Sequence, residues 1–171
     1  MKLKSILAAA ILCQASLPVL ACGYDEIFNN PFALGHTGSI GVALQTQQAL
    51  EKGQINRVPS LTSEESLERA ETWLDQLRGR LETAELPNKF SVYLTDAGLW
   101  ARFDVRNNSV SMEAHTTPEE NETVLVISEA ALSALLNKQI SAVDAEKMGL
   151  LRWSASANPQ VTAALSNATQ S

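Results

Sequence analysis

From Phe90 onward the apolar residues fall at every second position, and this period constrains the fold more than any other feature of the chain. In FSVYLT, Phe90, Val92 and Leu94 share one face; in LWARFDVR, Leu99, Ala101, Phe103 and Val105 do so; SVSMEAH continues with Val110, Met112 and Ala114. Successive side chains of an extended chain point to opposite faces, so each segment reads as a strand with one buried face. Asp96-Ala97-Gly98 supplies a turn between the first two. Asn107-Asn108 supplies a tight hairpin before the third, because asparagine tolerates positive φ. After the polar loop TTPEENE, the run Val124 to Ile127 is apolar on both faces, which suits a strand inside the sheet.

The period then changes to that of a helix. Ser128 is placed to cap a helix with Glu129 in its first turn, and Leu132, Leu135 and Leu136 point one way. Ser141 starts a second short helix that Gly149 ends, since glycine takes the left-handed conformation without strain. LLRW then makes a fifth strand. Asn158 and Pro159 open a last helix carrying Val161, Ala164, Leu165 and Ala168. Before the strands, Thr62 and Glu65 form a capping box, and Leu67, Ala70, Leu74, Leu77 and Leu81 follow at spacings of three and four on one stripe. Gly79 interrupts that stripe, so core packing is favoured over a coiled coil.

The first 60 residues are different in kind. MKLKSILAAAILCQASLPVLA has two lysines, a short apolar core and small residues before Cys22, the anatomy of a secretory signal peptide over 1–21. Its apolar core is shorter than the roughly 20 residues that span a bilayer. The arm 22–60 begins with an irregular Gly-, Asn- and Pro-bearing stretch. One helix follows over Gly41 to Lys52, with Val42, Leu44 and Leu50 as its apolar residues and Gly53 as its stop. The expected class is therefore α+β, with a five-stranded, mainly antiparallel sheet and helices packed on one face over 61–171, preceded by a helical arm.

With the leader removed, 11 basic side chains face 19 acidic ones, a net charge of −8. Nucleic acid is excluded as an expected partner, because affinity for phosphate backbones rests on clustered Lys and Arg. Cys13 leaves with the leader, so Cys22 is the one remaining thiol and no internal disulfide can form. PVLAC resembles the lipobox of bacterial lipoproteins, in which the cysteine after the cut receives lipid; a free or externally paired thiol is the alternative. The expected location is the periplasm or cell envelope, with membrane contact only through a lipid on Cys22.

VLVISEAALSALLNKQISAVDAEKMGLL, with Ser128, Leu132, Gly149 and Leu150 at its key positions, is similar to the sterol carrier protein type 2 family, and the resemblance runs from about Thr62 to Ala168. It implies an apolar space between sheet and helices holding a fatty acyl chain, a sterol or a similar lipid. On that reading Phe90, Val92, Leu94, Phe103 and Met112 line one wall, and Leu132, Leu135, Leu136, Val161 and Leu165 the other. The same residues also read as ordinary core, since a pocket lining and a core share one composition.

The remaining chemistry points away from catalysis. His36, His115 and Cys22 lack ligand spacing, so no metal or cofactor is expected. Glu119, Glu120 and Glu122 read as a solvated charge run, and no nucleophile elbow, zincin motif or phosphate loop occurs. Three classes stand: a carrier of hydrophobic ligands, a structural adaptor with a solid core, and a redox or metal protein centred on Cys22.

Overall fold

The computed structural model describes residues 36–82, 89–106, 109–154, 163 and 165–167. The expectations for the leader, for Cys22, for the turn at Asn107-Asn108 and for Val161 lie outside these residues. Two helices come first, α1 (Ser39–Glu51) and α2 (Ser63–Leu81), then the strands β1 (Lys89–Leu94), β2 (Leu99–Arg106), β3 (Ser109–Ala114) and β4 (Val124–Ile127). Helices α3 (Glu129–Leu136) and α4 (Ala142–Lys147) lead to β5 (Leu151–Trp153). The sheet runs β3-β2-β1-β4-β5, and every pairing is antiparallel except β1 with β4. Both the α+β class and the mainly antiparallel sheet are as the sequence implies.

The local signals operate where they stand. The Glu65 N–H donates to the Thr62 hydroxyl and the Thr62 N–H to the Glu65 carboxylate, closing the capping box of α2. The Ser128 and Ser141 hydroxyls accept the N–H groups of Ala131 and Asp144 at the starts of α3 and α4. Gly149 ends the α4 region at φ 71°.

Register puts Phe90 opposite Phe103, which is itself opposite Met112, and puts Val92 opposite Ala101 and beside Leu125. This face meets Ala70, Leu74, Leu77 and Leu81 of α2 and Leu132, Leu135 and Leu136 of α3 in one core cluster. The stacked rings of Phe90 and Phe103, with centroids 4.8 Å apart, lie within it. Leu165, one of the described helical residues near the C-terminus, is buried there too.

The arm helix takes the opposite face. Val42 packs with Tyr93, Val124 and Val126, and Trp100 lies against them. This explains why β4 is apolar on both sides: Leu125 and Ile127 join the core under α2 and α3, while Val124 and Val126 meet α1. Ala49, further along α1, reaches the main core. Leu44, counted among the apolar residues of this helix, is instead 59 % exposed, as is Ile40 one turn before it. Among the described residues no helix is long and apolar enough to cross a membrane.

Candidate functional site

The nine described residues expected to line a pocket do come together. Phe90, Val92, Leu94, Phe103, Leu132, Leu135, Leu136 and Leu165 are buried members of the main core, and Met112 packs half-buried at its margin. Among the described residues, clefts border this core, and the walls of two of them are made of other residues.

The first cleft, of about 350 Å³, opens between α1, the connector after it, the β1–β2 turn and the start of α3. Seven of its eleven lining residues are polar: Gln47, Arg57, Ser60, Thr95 and Asp96, and the buried Thr46 and Ser128. Of its apolar residues, Leu50 and Val58 pack on the core and Ala130 is a member of it. The Thr46 and Ser128 hydroxyls lie 3.0 Å apart, both buried, so α1 is tied to the start of α3 by a hydrogen bond that water does not reach.

An ionic clamp stands beside this cleft. Arg69 donates through Nε and Nη2 to Glu129 Oε2, at 3.0 and 2.7 Å, and through Nη1 to the carbonyl of Pro59 at 2.7 Å. Its guanidinium also sits 5.3 Å from the Trp73 ring centre, a cation–π distance. The Glu129 N–H donates to both carboxylate oxygens of Asp96, at 2.8 and 3.0 Å, so Asp96 and Ser128 together satisfy the first donors of α3.

Loss of hydration pushes the Glu129 carboxyl up from its ordinary value; Arg69 opposes the shift and the nearby Asp96 charge adds to it. Asp96 is also raised, first by desolvation at its end against α3, with the backbone N–H groups and Arg69 pulling it back. Asp96 as a residue is exposed, so solvent screens much of that effect, whereas the Glu129 side chain is only 7 % exposed.

The second cleft, of about 480 Å³, follows β5 and is lined by Leu151, Arg152 and Trp153 with Gly41, Val42 and Gln45 of α1 and, at one end, Glu146 and Gly149.

The acidic loop before β4 corrects an expectation. Glu119 is exposed, but the Glu122 side chain is only 4 % exposed: it accepts from the Ser91 hydroxyl at 2.6 Å and from the Glu119 N–H at 2.8 Å, with Arg102 at 3.4 Å. The loop folds over the sheet face where register sets Ser91 beside Arg102, a pairing that no local pattern announces. Among the described residues no group of three or more His, Cys, Asp or Glu is arranged to hold a metal ion. His115 instead contacts Glu71 at 2.7 Å, and the His36 ring meets Trp100 edge-on.

The arrangement thus belongs to an α+β protein with several polar pairs buried beside its apolar core. No family model and no curated protein matches the chain. Sterol carrier protein 2 is a similar solved structure, at 16 % identity and a TM-score of 0.43, over 60 % of this chain and 88 % of that one. A conserved hypothetical protein of Thermus thermophilus, with a suggested sterol carrier assignment, is similar at 16 % identity and a TM-score of 0.39, over 68 % of this chain and 92 % of that one. A double mutant of the sec-alkyl sulfatase PisA1 is similar at 11 % identity and a TM-score of 0.48 over 55 % of this chain, which spans only 15 % of the sulfatase's length.

Proposed function

We propose that the protein is a non-catalytic binder of a hydrophobic ligand with a polar head, such as a fatty acyl chain or a sterol-like lipid. The observation that carries this reading is the first cleft, whose mainly polar lining adjoins the apolar core at Leu50, Val58 and Ala130. Its volume falls in the range of roughly 300 to 1,000 Å³ usual for ligand sites, and its seven polar lining residues out of eleven suit the head of such a ligand better than the tail. Arg57, Ser60 and Thr95 supply cationic and hydroxyl groups for a head, and a tail entering past Val58 would part the end of α1 at Leu50 from the core. The interior it meets is the margin of the main core at Ala49 and Ala130.

We propose further that the chain works outside the cytoplasm, in the periplasm or cell envelope. The leader over 1–21 supports export, and Cys22 after Ala21 supports a lipid anchor. The intact mass of the chain from its own cells checks this: an acylated Cys22 as first residue is expected, and an unmodified one removes the anchor.

The binding test uses a fluorescent fatty acid and its methyl ester. The protein should take up both at micromolar concentration and melt at a higher temperature when loaded. Val58→Trp, which fills the cleft from a half-buried position, should weaken both probes about tenfold, a difference of about 1.4 kcal/mol. Arg57→Gln should weaken the acid and spare the ester. Absence of uptake by the unsubstituted protein, or uptake indifferent to Val58→Trp, would sink the reading.

A further inference from the structure

The second cleft has features that a lipid site does not need. β5 is the last strand of the sheet, and its hydrogen bonds alternate as in any antiparallel pair. The Ser154 N–H donates to the Val124 carbonyl at 2.9 Å, so Val124 and Ser154 are a hydrogen-bonded pair, and so are Val126 and Arg152 two residues along. Arg152 therefore turns its backbone groups toward β4. Leu151 and Trp153 turn theirs to the open edge, where no hydrogen bond among the described residues meets them. An unpaired row of N–H and C=O groups at a sheet edge is a template for another strand. Here that row lines a cleft of about 480 Å³.

We infer that this groove receives an extended acidic peptide from another protein, added to the sheet as a further strand along β5. The wall opposite the strand admits close approach, since at Gly41 a Cβ would meet nothing within 4 Å. Leu151 and Trp153 keep their side chains in the main core, so it is their backbone that they offer to the edge, and the Trp153 indole N–H is buried with no acceptor. Arg152 projects to the other face of the sheet, is exposed, and has no ion-pair partner among the described residues.

A residue of an added strand directly opposite Arg152 would lie about 5 Å away between Cβ atoms, and an acidic one would form a favourable cross-strand pair. Glu146 lines the end of the groove near Gly149, so the acidic position belongs opposite Arg152 and not at that end. A second copy of the chain is disfavoured by the same arginine: antiparallel pairing of two β5 edges sets Arg152 against Arg152, and like charges directly opposite are destabilising. A short edge strand with a central charge resists its own kind in this way. This site uses other residues than the ligand cleft, and α1 is the wall the two share.

The test is a nuclear magnetic resonance titration of the protein with acetyl-Thr-Val-Glu-Val-Thr-amide. The Leu151 and Trp153 amides should shift and become protected from hydrogen exchange by at least about tenfold, while the Arg152 amide, already paired to β4, changes little. Arg152→Glu, at an exposed position, should weaken the glutamate peptide about tenfold and favour the same peptide with lysine at its centre. N-methylation of the peptide nitrogens that face β5 should abolish binding. The proposal is overturned if no shift appears at millimolar peptide, if binding ignores N-methylation or the charge reversal, or if protection arises at β3 instead. It is overturned equally if the unbound protein self-associates with Leu151 and Trp153 already protected, which would assign the edge to a second copy.

Discussion

Glu129 shows how one side chain can serve the fold at one pH and strain it at another. Its carboxylate is held by two nitrogens of Arg69, yet burial raises its affinity for a proton above that of the unfolded chain. The folded state then binds the proton more tightly than the unfolded state does. The contribution of this group is fully present below the ordinary carboxylate value and is lost as pH rises through the raised one. Glu65 and Asp104 shift the other way, lowered by the Thr62 and Arg106 hydrogen bonds, so their effects fall in a more acidic window. Urea unfolding of the protein and of Glu129→Gln, followed from the ordinary carboxylate range upward, should give curves that separate: the native chain loses stability with rising pH, and the glutamine variant lacks that component. A native curve that rises relative to the variant over this window would refute the assignment.

At the scale of the element, α3 and α1 differ in what holds them. Helix α3 buries seven of its eight residues and is capped by Ser128 and Asp96, so its place is set from several sides. Leu135→Ala should destabilise the protein by about 2 to 5 kcal/mol, the range for truncating a buried leucine. Leu44→Ala on α1, at a position 59 % exposed, should change stability by no more than about 0.5 kcal/mol. Denaturant midpoints at unchanged slope measure both; a loss below about 0.5 kcal/mol for Leu135→Ala would mean that the helix does not face the sheet.

For the molecule as a whole, α1 is the element on which both clefts depend, because it forms a wall of each. It is also lightly anchored apart from the Thr46–Ser128 bond. Gly38 gives it no side-chain cap, its ends carry no charges that oppose the helix dipole, and only Val42, Thr46 and Ala49 are buried. Native-state hydrogen exchange should therefore find the α1 amides opening at lower free energy than those of β1 and β4, which lie between other strands. A loaded ligand cleft should raise the protection of α1 before that of the sheet. Equal protection of α1 and the central strands in the unliganded protein would remove α1 as the moving part.

What the sequence by itself determined about this protein is the set of features decided within a few residues. The capping box of Thr62 and Glu65, the serine caps at Ser128 and Ser141, the turn at Gly149 and the alternation that puts Phe90, Val92 and Leu94 on one face all depend on neighbours along the chain. The same alternation marked the residues that gather in the core, but composition could not separate a lining from a packed interior. Only the tertiary structure decided which face α1 would cover, which residues would wall the two clefts, and that Glu122 would be buried against Ser91. The Arg69–Glu129 pair joins positions 60 residues apart, the Glu129–Asp96 bond 33, and the Thr46–Ser128 bond 82. Such contacts exist only after the sheet has set its register and the helices have packed on it. Arg57, Asp96 and Arg152 therefore gave no signal in the sequence beyond that of ordinary connector, turn and strand residues.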